Sequence, residues 1–229
     1  MKTITIMIAG NASNHIENNV GSKKAWYLKR LSHLNYNIKF IEIFKDSFSS
    51  SELENDAWII TGSEYSVYDD MDWLKLFKIH LLEAIDNNVP ILGICFGHQL
   101  LAEVLNGKVK KNPNGWEVGY SPINLTDDGL NSKLFLDFPN NFYAAETHQD
   151  VILELPDNCI ALAENDMGIQ SFQHNYKNLY GVQFHPEFNA EIMNAYLQMR
   201  KKSGINILFP KERNIKTANN IFNNFTNLI

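Results

Sequence analysis

Val89-Pro90-Ile91-Leu92-Gly93-Ile94-Cys95-Phe96-Gly97-His98-Gln99-Leu100-Leu101-Ala102 changes character at its middle. A short apolar run rich in β-branched residues leads into Cys95, and a helix-forming run leads out of it. Glycines stand two residues before and two residues after the thiol. This is the layout of a nucleophile elbow, a sharp strand-to-helix turn that exposes one reactive side chain. Any side chain at Gly93 or Gly97 would crowd such a bend. A thiol at a helix N-terminus faces the positive end of the backbone dipoles, which favours the nucleophilic thiolate. A lone cysteine in an apolar stretch is ordinarily a buried core residue. The paired glycines, and Gln99 one helical turn further on, set Cys95 apart.

Working outward, strands alternate with helices on the N-terminal side. Ile4 to Ala9 reads as a strand, followed by a polar loop from Gly10 to Asn19. Ser22 to Leu34 has helical spacing, with Trp26, Leu28, Leu31 and Leu34 able to share a face. Ile38 to Phe44 and Ala57 to Ile60 are strands, and Asp72 to Ile85 is a helix carrying Leu74, Phe77, Leu81 and Ile85. Val89 to Ile94 and Gly97 to Leu105 complete the elbow. The expected fold is α/β, with a mostly parallel central sheet and helices on both faces.

After Lys108 the pattern changes. Trp116 to Leu125, Phe142 to Thr147, Asp150 to Leu153, Cys159 to Ala163, Gly168 to His174 and Leu179 to Phe184 read as strands joined by short turns. They predict additional antiparallel strands in the C-terminal half. Asn189 to Lys202 is helical, and 214–229 reads as a terminal amphipathic helix packed on the body through Ile221, Phe222, Phe225 and Leu228. The linker between them, 202–212, is neither long nor of low complexity, so a single domain over 1–229 is the expectation.

Composition limits the function classes. The 229 residues are 45% hydrophobic and 20% charged, ordinary for a globular chain. A net charge of -6 gives no electrostatic support for a nucleic-acid partner. No apolar run reaches the ~18 residues that span a membrane. Cys95 and Cys159 form no metal or disulfide spacing, and Cys159 reads as a core strand residue. The first residues read as a strand and not as a signal peptide, so a reduced, cytoplasmic setting is expected. No residue pattern calls for a metal or a cofactor.

A thiolate attacking an amide needs a base that also serves as acid, usually a histidine held by a third group. Of the seven histidines, His15, His33, His80 and His174 have no supporting context. His98 follows Cys95 on the elbow helix, at a spacing that points away from the tip. His148 lies in Glu146-Thr147-His148-Gln149-Asp150. His185 is different: Gly181-Val182-Gln183-Phe184-His185-Pro186-Glu187-Phe188 is a strand running into a proline-stiffened turn. His185 and Glu187 are two apart, so extended backbone puts them on one side. Pro186 restricts His185 to such backbone. Oxyanion donors come naturally from the N–H of Phe96 and from the Thr61-Gly62-Ser63 loop, where Gly62 lets the backbone turn an amide inward.

Together these segments resemble the class I glutamine amidotransferases. The resemblance runs from the first strand to about residue 200, and Gly93–Gln99 and Val182–Glu187 are its most specific pieces. Gly115-Trp116-Glu117-Val118-Gly119 and Thr147-His148-Gln149-Asp150 fall in the right order. The resemblance implies hydrolysis of a γ-glutamyl amide through a thioester on Cys95, with His185 as base and acid and Glu187 as its orienter. Gly62, Ser63 and Phe96 would supply the oxyanion hole. Gln99, Thr147 and His148 would line the pocket for glutamine or another γ-glutamyl small molecule. The residues carry no Gly-rich phosphate loop, and the expectation is that no ATP-binding synthase domain follows. The expectation is therefore an amidotransferase passing ammonia to a separate synthase chain. The alternatives are a stand-alone γ-glutamyl peptidase or hydrolase and a non-catalytic binding protein on the same fold.

Overall fold

The structure, a computed structural model, describes residues 1–45, 55–205 and 211–229. Its centre is a nine-stranded sheet in the order β2-β1-β3-β4-β11-β10-β9-β6-β7. The first five positions are β2 (Asn37–Glu42), β1 (Thr3–Ile8), β3 (Ala57–Ile60), β4 (Ile91–Ile94) and β11 (Leu179–Val182), all paired in parallel. The other four, β10 (Gly168–His174), β9 (Cys159–Asn165), β6 (Glu117–Leu125) and β7 (Asn141–His148), continue it antiparallel. The α/β class and the split between a parallel half and an antiparallel extension are as the residues predict.

Burial explains the parallel half. Every residue of β3 and of β4 is buried, as expected of strands covered on both faces. Successive side chains alternate between two cores. Ile4, Ile6, Ile8, Ala57, Ile59, Leu92 and Ile94 face Tyr27 and Leu31 of α2 (Lys23–Leu31) and Phe222 and Phe225 of α7 (Ile221–Thr226). Met7, Trp58, Ile60 and Ile91 face Leu74, Phe77 and Leu81 of α3 (Asp72–Asp86) and Leu100 and Leu101 of α4 (Phe96–Val104). Each large apolar side chain so enclosed stabilises the fold by about 1.5–3 kcal/mol. A third cluster joins α1 (Asn14–Val20) and α6 (Ala190–Lys202) through Ile16, Trp26, Phe188, Met193 and Tyr196, at the end where the site lies.

Several elements differ from the expectations. Residues 14–20 form α1 inside the expected polar loop; Ser13 caps it by accepting from the Ile16 N–H, and Ile16 is its one buried residue. Two apolar side chains in seven residues, Ile16 and Val20, are too few to stand out as a periodic face. Leu28 is 42% exposed; the buried face of α2 is Lys23, Trp26, Tyr27 and Leu31, at i, i+3, i+4 and i+8, so Tyr27 takes the inward position. The strand expected at 150–153, β8 (Asp150–Glu154), leaves the main sheet and pairs with an unforeseen β5 (Lys108–Lys111). With three lysines among its four residues, β5 carries no apolar alternation. A short α5 (Asp127–Asn131), capped by Thr126, was likewise not foreseen. Cys159 is only half-buried, at the start of β9. Near the end of the chain the helical residues are Thr217–Asn220 and Ile221–Thr226, shorter than 214–229, although Ile221, Phe222 and Phe225 are buried as expected. The expected linker at 202–212 lies partly outside the described residues. Among the described residues no helix is long and apolar enough to cross a membrane.

Candidate active site

Parallel strands end at one edge of the sheet, so the loops that follow them converge there. Cys95 stands between β4 and α4 with φ 52° and ψ -103°, a backbone conformation that non-glycine residues rarely adopt. The strain sits on the cysteine. The two glycines serve a different need: a Cβ on Gly93 would strike the Gly97 carbonyl, and one on Gly97 would strike the Ile60 carbonyl of β3. The elbow is tied to its neighbour by the Cys95 N–H donating to Val182 O at 2.9 Å.

The segment after β11 brings in His185. Its N–H donates to Ala145 O at 2.9 Å, and its Nδ1 lies 2.8 Å from Glu187 Oε1. Arg30 donates to Glu187 O and Phe188 O, and Asn219 donates to Pro186 O, so the His-Pro-Glu turn is held from two helical segments. The His185 ring stacks on Phe188 with centroids 4.3 Å apart. Its Nε2 is buried and makes no close hydrogen bond, while Cys95 is near enough to act on the ring's charge. Burial disfavours the imidazolium, but the charges of Glu187 and Cys95 outweigh it and push His185 up to about 10. Gly62 packs directly on this pair: a Cβ there would lie 2.9 Å from His185 Cε1 and 3.4 Å from Cys95 Cβ. No larger residue fits without moving the imidazole.

Beside Cys95 opens a cavity of about 310 Å³, lined by Ser63, Gln99, Thr147 and His148 among others. The structure thus brings Cys95, His185, Glu187, Gly62, Ser63, Gln99, Thr147 and His148 to one place, with Phe96 following Cys95. Two of the expected pocket residues have polar atoms engaged internally, Gln99 through Nε2 and His148 through both ring nitrogens. Gln99 Nε2 donates to Asp150 O at 2.7 Å and to Gln183 Oε1 at 3.0 Å. His148 has Nδ1 3.0 Å from Asp150 O and Nε2 3.0 Å from Glu117 Oε2. Both ring nitrogens face acceptors, so the ring is an imidazolium; burial opposes this charge, but Glu117 and Glu146 raise its proton affinity well above the ordinary value. Glu146 is fully buried, and burial, followed by Glu117, pushes its carboxyl up to about 7. Glu117, Glu146 and His148 offer ligand atoms within 4.8 Å of one another, a donor set a metal could use, but the His148–Glu117 contact already has hydrogen-bond length. His98 is fully buried against Phe172, and burial with nearby His148 pushes it down to about 3, so it is neutral and outside the cavity.

Other groups at the cavity were not legible beforehand. Arg200 of α6 lies over the Trp116 ring at 4.4 Å and donates from Nε to Thr147 Oγ1 at 3.1 Å, with Glu64 3.8 Å away. Lys111 and the Asp150 carboxylate line the same cavity, and Asp150 is held by Ser66 Oγ at 2.6 Å and Tyr68 OH at 3.0 Å. Arg200 had only the signal of a basic last turn, which any helix C-terminus favours.

The glutamine amidotransferase class-I family matches residues 15–201 of this sequence. The chain belongs to that family. Gamma-glutamyl peptidase 4 of Arabidopsis thaliana is 34% identical over 141 residues, covering 60% of this chain and 56% of the plant protein. The matched segment is thus just over half of that relative's length. One subunit of the glutamine-hydrolyzing GMP synthase of Sulfolobus acidocaldarius is 29% identical over 185 residues, covering 80% of this chain and 88% of the archaeal one. The crystal structure of a glutamine amidotransferase from Thermotoga maritima superposes with a TM-score of 0.78 over 99% of this chain and 96% of that one, at 22% identity. The fold of this amidotransferase-family chain is therefore that of its family, while its relatives act in two different settings.

Proposed function

We propose that this chain hydrolyses γ-glutamyl amides with Cys95 as nucleophile. The observation that carries the reading is the strained Cys95 elbow beside a His185–Glu187 pair at 2.8 Å, both packed on Gly62. The Cys95 thiolate attacks the amide carbonyl, and the oxyanion meets backbone N–H groups of Ser63 and Phe96. The His185 imidazolium gives its proton to the departing nitrogen, leaving a thioester. His185 then takes a proton from water, the water attacks the thioester, and glutamate leaves as the thiolate is restored. Glu187 orients the imidazole and offsets its charge throughout.

The leaving group separates two readings. Ammonia from glutamine, passed to a synthase on a separate chain, fits the kinship with GMP synthase subunits. A peptide leaving group fits a cavity whose wall carries Lys111 and Arg200 for a further carboxylate. The test is a panel of glutamine, glutathione and γ-glutamyl peptides, each with wild type and Cys95→Ala. Ammonia from glutamine alone supports the amidotransferase, and Cys-Gly released from glutathione supports the peptidase. Turnover by Cys95→Ala, or labelling of Cys159 with none at Cys95 by a glutamine-like electrophile, overturns the nucleophile assignment.

A further inference from the structure

Lys23 opens α2, where the helix dipole and burial both disfavour an ammonium. It is nevertheless only 8% exposed. Its Nζ donates to Gly10 O at 2.6 Å, just past β1, and to Gly62 O at 2.9 Å, just past β3. Burial lowers its pKa to about 8 against the upward pull of Glu187 and Cys95. Neither carbonyl requires a charged donor, so the fold alone does not account for this lysine.

The bond to Gly62 also orients the neighbouring N–H. A trans peptide is planar, with its C=O and N–H pointing in opposite directions. No cis peptide occurs among the described residues. Gly62 C=O and Ser63 N–H belong to one such plane. With the carbonyl held by Lys23 at 2.9 Å and by the Thr61 hydroxyl at 3.1 Å, the Ser63 N–H is turned to the opposite side of the peptide plane. Gly62 has no side chain to resist a flip of this peptide, and a Cβ there would displace His185. Within the loop the Thr61 hydroxyl donates to the same carbonyl and Ser63 Oγ to Ala9 O; Lys23 adds the tether from outside it. We propose that Lys23 is a positioning residue that locks the Gly62–Ser63 peptide in the orientation that receives the oxyanion.

This rests on the proposed acylation of Cys95, and the test separates the two. The same thiol can react in two ways. Acylation by a γ-glutamyl substrate passes through an oxyanion. Alkylation by iodoacetamide forms the S–C bond as iodide leaves, and makes no oxyanion. Lys23→Met keeps the length and loses the donor. The expected result is a kcat for hydrolysis lower by about 100-fold, the cost of losing one oxyanion donor. KM should stay within about 3-fold, which is under 1 kcal/mol of substrate binding. Cys95 alkylation at high pH, where the thiol is ionised in both proteins, should keep its rate, while loss of the neighbouring ammonium moves the midpoint of its pH profile upward. Unchanged kcat overturns the proposal. So does a parallel fall in hydrolysis and in high-pH alkylation, since Lys23 would then act through the fold, or full recovery of kcat at high pH, since it would then act through the thiolate alone. If Lys23→Met does not fold, Lys23→Gln, whose amide is polar but too short to reach Gly62 O, goes through the same pair of assays with the same split expected. A wild type whose Cys95 is inert to both reagents would instead remove the underlying reading.

Discussion

The two halves of the large sheet meet at the cavity and place polar groups in different ways. In the parallel half the central strands β3, β4 and β11 carry no charged side chain, and the residues of the site stand beyond strand ends: Gly10 after β1, Gly62 after β3, Cys95 after β4 and His185 after β11. In the antiparallel half the polar groups are inside the strands: Glu117 on β6, Glu146 and His148 on β7, Gln170 on β10. Parallel strands all finish at one edge, so chemistry can be delegated to loops that converge there. Antiparallel neighbours finish at opposite edges, and this half reaches the cavity with side chains from within its strands. Buried charge must then be matched on the spot. Glu117 is matched by His148, by Gln170 Nε2 at 3.0 Å and by Asn165 Nδ2 at 2.7 Å. Under the proposed function the chemistry falls to one half and a wall of the cavity to the other.

That contrast is most easily broken on the parallel side. His185→Ala should lower kcat by about 10²–10⁴-fold, the usual contribution of a general acid–base. Glu187→Gln should cost less, about 10–100-fold, because Gln still holds the ring but cannot offset its charge. Steady-state kinetics on the best substrate of the panel decide this. If His148→Ala lost more kcat than His185→Ala, the chemistry would belong to the antiparallel half and the comparison would fail.

Gln99 joins the halves, since it stands on α4 and binds Asp150 O of β8 and Gln183 beyond β11. Gln99→Ala should raise KM by about tenfold, near 1.4 kcal/mol, with kcat changed by less than about 3-fold. A large fall in kcat at constant KM would place Gln99 with the elbow machinery and not with the wall.

The smallest effect concerns stability. Folded Glu146 keeps its proton up to about pH 7, whereas its reference value is 4.5. Folding therefore binds a proton between these values, and stability declines as pH rises through that window. Glu146→Gln removes the decline. Its Tm should exceed that of wild type by a few degrees at pH 8, with about 2–4 °C per kcal/mol for a chain of this size. The gain should vanish below pH 5, where both proteins are uncharged at this position. A Tm difference independent of pH would show that residue 146 contributes packing and not charge.

Much of the site was legible because its pieces are short in sequence. Gly93, Cys95, Gly97 and Gln99 are spaced by two, and His185, Pro186 and Glu187 are consecutive, so local backbone geometry alone brings each group together. The apolar runs of β1, β3 and β4 likewise declared a parallel sheet, since only strands covered on both faces tolerate them. What the tertiary structure decided are pairings between distant segments with no local signature. Lys23 reads as an ordinary basic residue at a helix start until the ends of β1 and β3 come over it. Arg200 reads as a solvated C-terminal charge until Trp116 and Thr147 meet it. The resemblance puts His148 at the pocket, but its charge partners Glu117 and Glu146 have no local signature until β6 and β7 pair Glu117 with His148 in register. Spacing records what the backbone does within a few residues, but burial and charge depend on which strands become neighbours, and that is settled only when the whole core closes.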